Sequence, residues 1–151
     1  SCYPMCKEYE LKNIFVPQLD IQKRIDKVVQ NFTKRTIGIH IRRTDNIESI
    51  KSSPLEAFIN SINAELKKDA NTKFYLASDD DHVKDILEEK FPDSIITIRE
   101  DVDRNTLEGM KFAVVDLFCL SKTQKIIGSV FSSYSQIAAE LGNIEIEYAK
   151  I

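Results

Sequence analysis

Apolar positions along this chain switch repeatedly between two rhythms. Leu19, Ile25, Val28, Val29 and Phe32 recur at the spacing of one helix face, and Thr36-Ile37-Gly38-Ile39-His40-Ile41 follows as a β-branched run of strand type. Ser53-Pro54-Leu55-Glu56 then reads as a helix start. Ser53 is placed to cap free amides, Pro54 suits the first helical position, and Glu56 completes a capping box. Leu55, Phe58, Ile59, Ile62 and Leu66 supply the apolar face of that helix. Lys73-Phe74-Tyr75-Leu76-Ala77 is a second strand. Val83, Ile86, Leu87 and Phe91 mark the next helix, and Ile95-Ile96-Thr97-Ile98 a third strand. A helix from about Asn105 to Ser121 leads to the strand Lys125-Ile126-Ile127-Gly128. Ser132 or Ser133 caps a helix that stops at Gly142. Ile144-Glu145-Ile146-Glu147-Tyr148 closes the series, and its alternating polar positions place it at a sheet edge.

Strand and helix therefore alternate about five times, which is the pattern of parallel strands joined by helical crossovers. The expected fold is a doubly wound, mostly parallel α/β sheet of about five strands with helices on both faces. Residues 19–151 form one such domain. Residues 1–18, with Pro4 and Pro17 and little periodicity, read as an irregular arm. In this architecture ligands bind beyond the carboxyl ends of the strands, so the polar residues that follow each strand carry the functional question.

Composition narrows the picture. A chain of 151 residues suffices for one ordinary core but not for two full domains. Four Pro and four Gly are too few for an all-β fold full of tight turns. No apolar run approaches the ~20 residues of a membrane span. Cys2, Cys6 and Cys119 are too few and too scattered for a disulfide framework or a zinc site, which points to a reducing, cytoplasmic setting. No basic-then-apolar leader opens the chain, so no signal peptide is expected. An opening Ser1 reads as a processed product or a fragment. The net charge of −3 is uneven: residues 1–45 carry +4 and residues 46–151 carry −7. An acidic whole argues against general nucleic-acid or anionic-membrane binding, while leaving room for a small anionic ligand near the basic region.

Three places beyond strand ends and one inside a helix carry chemistry. The first strand runs into His40-Ile41-Arg42-Arg43-Thr44-Asp45, where two guanidinium forks fit a diphosphate or, more plainly, answer nearby acids in solvent. His40 and Arg42 share one strand face and Arg43 the other, unless the chain turns. Ser78-Asp79-Asp80-Asp81 could hold a magnesium ion, although capping the next helix is the simpler role. Gly128-Ser129-Val130-Phe131-Ser132-Ser133 presents amides and hydroxyls to an anion at a helix start, or simply caps it. Asp116 lies inside the apolar helix segment Phe112–Phe118 and must be paired or face a wall. Arg104 is a structural partner for it; the functional reading is a carboxylate accepting from a nucleobase such as guanine. Cys119 and Met110 are expected in the core and His82 at a helix surface. No Gly-x-Gly-x-x-Gly, Walker loop or Gly-x-Ser-x-Gly elbow is present.

The run Ile37-Gly38-Ile39-His40-Ile41-Arg42-Arg43-Thr44-Asp45 resembles the fucosyltransferase superfamily of α1,6-fucosyltransferases, the bacterial nodulation fucosyltransferase and the protein O-fucosyltransferases. Phe74-Tyr75-Leu76-Ala77-Ser78-Asp79-Asp80 is similar to that family's second motif. Arg104 through Asp116 to Leu120-Ser121, with Phe131-Ser132-Ser133, is similar to its third. The resemblance covers residues 36–142. It implies the Rossmann-like donor half of a two-domain GT-B glycosyltransferase that uses GDP-fucose, needs no metal or other cofactor and inverts the anomeric centre. It further implies that Arg42 holds the β-phosphate and stabilises the leaving GDP, with Arg43 in support. His40 and Asp116 would contact guanine, and Ser133 the diphosphate, with Ser132 beside it. Asp45, Asp79 and Asp80 would shape the pocket, and Arg104 would add positive charge. Such cations offset the charge developing on a leaving diphosphate in place of a metal.

Two departures qualify the likeness. The core α1,6-fucosyltransferases carry a Lys after the motif's Asp and a Glu four residues further on that is thought to act as base, where this chain has Asn46 and Ile50. Glu48 is the nearest carboxylate and a weak substitute. The 35 residues before the first strand are too few for an acceptor-binding domain, so the glycan acceptor is expected to meet a missing N-terminal domain, a small wall or a partner. Two rival readings follow: a non-catalytic nucleotide-sugar binding module or inactive relative, and a magnesium-dependent phospho-acceptor domain built on Asp79 to Asp81. A receiver-like fold usually needs acids after its first strand, and this chain has arginines there.

Overall fold

The computed structural model describes residues 19–41, 55–99, 106–129 and 133–149. In chain order the elements are α1 (Leu19–Val29), β1 (Thr36–Ile41), α2 (Leu55–Lys68), β2 (Lys73–Ser78), α3 (Asp81–Lys90), β3 (Ile95–Thr97), α4 (Leu107–Ser121), β4 (Lys125–Gly128), α5 (Ser133–Gly142) and β5 (Glu145–Tyr148). The strands pair in the order β3-β2-β1-β4-β5, and every pairing is parallel. The doubly wound α/β reading therefore holds.

Position in the sheet explains each strand's composition. β1 is the middle strand and all six of its residues are buried, as expected of a β-branched run covered on both faces. β5 lies at one edge and alternates exposed with half-buried residues, as its Glu-Ile-Glu-Tyr pattern predicts. The other edge is β3, three half-buried residues long.

Two cores flank the sheet. On one face Ile37, Ile39, Ile41, Phe74 and Leu76 meet Phe58 and Ile62 of α2 and Val83 and Leu87 of α3. On the other, Tyr75, Ala77 and Ile126 meet Ile25 of α1, Val115 and Leu120 of α4 and Ala138 of α5. Cys119 is buried in this second core. Met110 is not in either core: it is 60% exposed, beside Leu107 at 68%, on the outer side of the first turns of α4. Thr106 caps that helix, its hydroxyl accepting from the Gly109 amide at 3.1 Å.

α5 ends at Gly142, as expected, but the turn is made by the next residue. Gly142 remains helical, and Asn143 takes the left-handed conformation at φ 51°. The Ile144 amide then donates to the Ala139 carbonyl at 3.0 Å, a Schellman-type closure with Asn143 in the usual glycine role. Gly142 is required for a different reason. A Cβ there would come within 2.1 Å of the Ser121 carbonyl oxygen, so the close approach of α5 to α4 excludes any side chain.

Candidate functional site

The chain leaves β1 toward β2 on one side and later returns to place β4 on the other. That reversal marks the switch point at which open α/β sheets bind ligands. β1 stops at Ile41 and β4 at Gly128, and α5 begins at Ser133, so all three meet at the carboxyl edge.

His40 is the polar residue that β1 delivers there. Its strand neighbours are Ala77 on β2 and Gly128 on β4. Two small residues leave space above the imidazole, and Tyr134 of α5 fills it, with ring centroids 4.7 Å apart and planes tilted by 34°. Gly128 also admits α5 closely, since a Cβ there would lie 2.7 Å from Ser135 Oγ. The Ser129 hydroxyl donates to the His40 carbonyl at 3.2 Å. The Tyr134 hydroxyl donates to the Ala113 carbonyl and so ties α5 to α4.

Asp116 enters from α4 and is 4% exposed. Its Oδ1 accepts a hydrogen bond from the hydroxyl of Tyr75, a fully buried residue of β2. Burial, then the Asp116 charge, hold the Tyr75 phenol well above its ordinary pKa. Cys119, one turn along α4, is pushed up to about 12 by burial and then by the same carboxylate. Neither group ionises at neutral pH, so Tyr75 remains a neutral donor to Asp116.

These side chains enclose a polar hollow of about 70 Å³ lined by His40, Ala77, Ser78, Asp79, Asp116 and Tyr134, with Ala113. That is well below the roughly 300 Å³ of ordinary ligand pockets. The chain that follows β1, β3 and β4 at this edge falls within residues 42–54, 100–105 and 130–132, outside the described residues. A larger hollow of about 520 Å³ lies elsewhere, between α1, β3 and α4, with Arg24, Val28, Ile96, Arg99 and Phe112 among its walls. It contains none of the candidate residues. Its arginines are engaged laterally, Arg24 with Glu108 at 3.5 Å and Arg99 with Asp85 at 2.8 Å. Position and polarity favour the smaller hollow.

Of the residues selected from sequence, His40, Asp79 and Asp116 converge on this hollow. Ser133 stands exposed at the first position of α5, next to Tyr134. Asp80 caps α3, accepting from the His82 amide at 2.9 Å, which is the simpler of its two readings. His82 is exposed as expected. Arg42, Arg43, Asp45, Arg104 and Ser132 lie outside the described residues, as do Ser53, Pro54, Cys2 and Cys6. Arg104, the expected structural partner of Asp116, lies outside the described residues, and among the described residues that carboxylate accepts from Tyr75. Tyr75 and Tyr134 were not anticipated at the site. A signal existed for Tyr75, because a phenol in a fully buried strand must find an acceptor.

No family model and no curated protein matches the chain, but solved structures do. POFUT1 in complex with GDP superposes with a TM-score of 0.61 at 15% identity, over 89% of this chain and 47% of that one. NodZ α-1,6-fucosyltransferase soaked with GDP-fucose gives 0.63 at 23% identity, over 82% of this chain and 42% of that one. The fucosyltransferase NodZ from Bradyrhizobium gives 0.59 at 20% identity, over 82% and 42%. The fold is fucosyltransferase-like. The chain spans about half the length of the structures it matches. Among the described residues, no helix is long and apolar enough to cross a membrane.

Proposed function

We propose that this chain is the donor-binding half of a GT-B glycosyltransferase that binds GDP-fucose and transfers fucose, with inversion and without a metal, to a glycan. The observation that carries the reading is the convergence of His40, Asp79 and Asp116 at the switch point. It occurs in a fold shared with structures that hold GDP or GDP-fucose. Arg42 and Arg43 follow Ile41 directly in sequence. In this reading His40 and Asp116 meet the guanine, while Arg42, supported by Arg43, takes the β-phosphate. Ser132 and Ser133 add donors to the diphosphate at the start of α5. Asp45, Asp79 and Asp80 shape the walls, and Arg104 adds positive charge.

The chemistry needs little more from this half. An acceptor hydroxyl attacks C1 of fucose on the face opposite GDP. The C1–O bond breaks, and its electron pair stays on the β-phosphate oxygen. The acceptor's proton goes to a base, for which Glu48 is the nearest carboxylate to the motif. In this reading the Arg42 and Arg43 guanidinium groups stabilise the charge that develops on the leaving diphosphate. The acceptor surface belongs to the rest of a longer protein or to a partner.

Calorimetry with GDP in the presence of EDTA tests the donor site, and the expected result is micromolar binding. Arg42→Ala should abolish it, and unchanged affinity would remove Arg42 from the site. A second reading, a binding module without transferase activity, is favoured by Ile50 at the family's base position. GDP-fucose binding without fucosyl transfer or GDP-fucose hydrolysis in the longest available form of the protein would select it.

A further inference from the structure

We infer that Tyr75 is the positioning residue that orients Asp116 for reading a guanine base. The inference rests on the donor-site reading above and extends it to base selectivity. Tyr75 stands on β2, next to the central strand, fully buried, with its ring 5.6 Å from that of Phe32. Its hydroxyl donates to Asp116 Oδ1, and the Asp116 side chain also lines the polar hollow with His40 and Tyr134. The bond thus joins a fully buried strand residue to the acid that lines the cavity.

The physical argument concerns rotation and charge. The terminal torsion of an Asp side chain has a broad, shallow profile, so the plane of its carboxylate is set by partners. A phenol fixed in the core sets that plane. Burial holds this phenol protonated far into alkaline pH, so it remains a donor. Being neutral, it orients the carboxylate without cancelling its charge. Guanine presents two donors on one edge, N1–H and the N2 amino group. Hypoxanthine presents N1–H alone, and xanthine has a C2 carbonyl oxygen where guanine has the amino group. A carboxylate held in one plane distinguishes these edges, and a rotating one does so poorly.

The test is calorimetric titration of the 151-residue chain with GDP, IDP and XDP. The intact protein should prefer GDP over IDP by about tenfold or more, the worth of one charge-assisted hydrogen bond. Tyr75→Phe keeps the ring and its packing but removes the donor. It should cut that preference to about threefold or less, with a melting temperature that shows the fold intact. Tyr75→Phe retaining the full preference overturns the positioning role while leaving the donor site standing. An intact protein that binds GDP and IDP equally removes Asp116 from base reading, and this inference falls with it. Asp116→Asn, with Tyr75 untouched, covers the case in which Tyr75→Phe does not fold. The phenol must donate to the amide oxygen, because an inverted amide would leave the phenolic proton unsatisfied. The amide nitrogen is then presented to the base, and preference should move from GDP toward XDP. Loss of GDP affinity with no gain for XDP overturns the inference.

Discussion

Two acids in this molecule are equally hidden: Glu65 and Asp116 are each 4% exposed. Their described partners differ. Glu65, near the end of α2, lies at the amino edge of the sheet. Lys125 contacts it at 2.8 Å, Lys68 at 3.4 Å and Arg35 at 3.5 Å. Lys125 continues to Glu147 of β5 at 3.2 Å, so the cluster ties α2, β4 and β5 together. Asp116, at the carboxyl edge, takes a neutral hydroxyl from Tyr75 and borders a hollow. An acid enclosed by cations is spent on holding elements together. One oriented by a neutral donor beside a cavity keeps charge available for a ligand. The two ends of the same sheet thus use buried charge differently.

The largest expected effect separates the two ends by mutation. Glu65→Leu leaves Lys125 and Arg35 without their shared acid. Breaking a fully buried pair costs about 3–5 kcal/mol, and partial exposure of these cations lowers the expectation to about 2–3 kcal/mol. Urea unfolding should show that loss while calorimetry gives an unchanged GDP affinity. A fall in both would mean that the two edges are coupled and that the contrast fails.

Asp116→Leu should give the reverse pattern. Orphaning the buried Tyr75 hydroxyl costs about 1–2 kcal/mol, and GDP binding should be lost. Binding that survives this change would make Asp116 as structural as Glu65.

The smallest effect is a pH dependence. Burial raises the Glu65 pKa, but hydrogen bonding and charge from Lys125, with help from Lys68, outweigh it and leave the carboxyl below its ordinary 4.5. A group whose folded pKa is depressed stabilises the fold above its unfolded pKa, and that contribution is lost as pH falls through the folded value. Acid titration by circular dichroism should therefore show a stability decrement below about pH 4.5 that Glu65→Gln removes. The same decrement persisting in Glu65→Gln would assign it to other carboxylates.

Most of the architecture was legible because period and propensity are local. The strand at Thr36–Ile41, the amphipathic helix through Phe58 and Ile62, and the edge character of Glu145–Tyr148 follow from side-chain alternation and burial, which neighbouring residues already encode. Errors came where a long-range contact overrode a local rule. The helix does stop at Gly142, but the absent side chain serves the approach to Ser121 and Asn143 makes the turn. Met110 is apolar at helical spacing, yet it is exposed in the first turns of α4, although Leu117, two turns further along the same side, is buried. Lys84 is a charged residue on a helix and is nevertheless 1% exposed. Its ammonium reaches past the β3 edge to the Ile98 carbonyl at 2.6 Å and lies 5.3 Å from the Phe112 ring centre.

The amino-acid sequence by itself determined the alternation of strands and helices, hence the parallel sheet, hence the edge at which polar residues would collect. Each step needs only local periodicity and the geometry of crossovers. Tertiary structure alone decided strand order, and with it that His40 stands between Ala77 and Gly128 beneath Tyr134. It alone joined Tyr75 to Asp116, residues 41 positions apart in the chain. No propensity encodes a hydrogen bond across that separation. It exists because packing α4 against β2 brings a buried phenol within reach of a buried carboxylate that accepts from it.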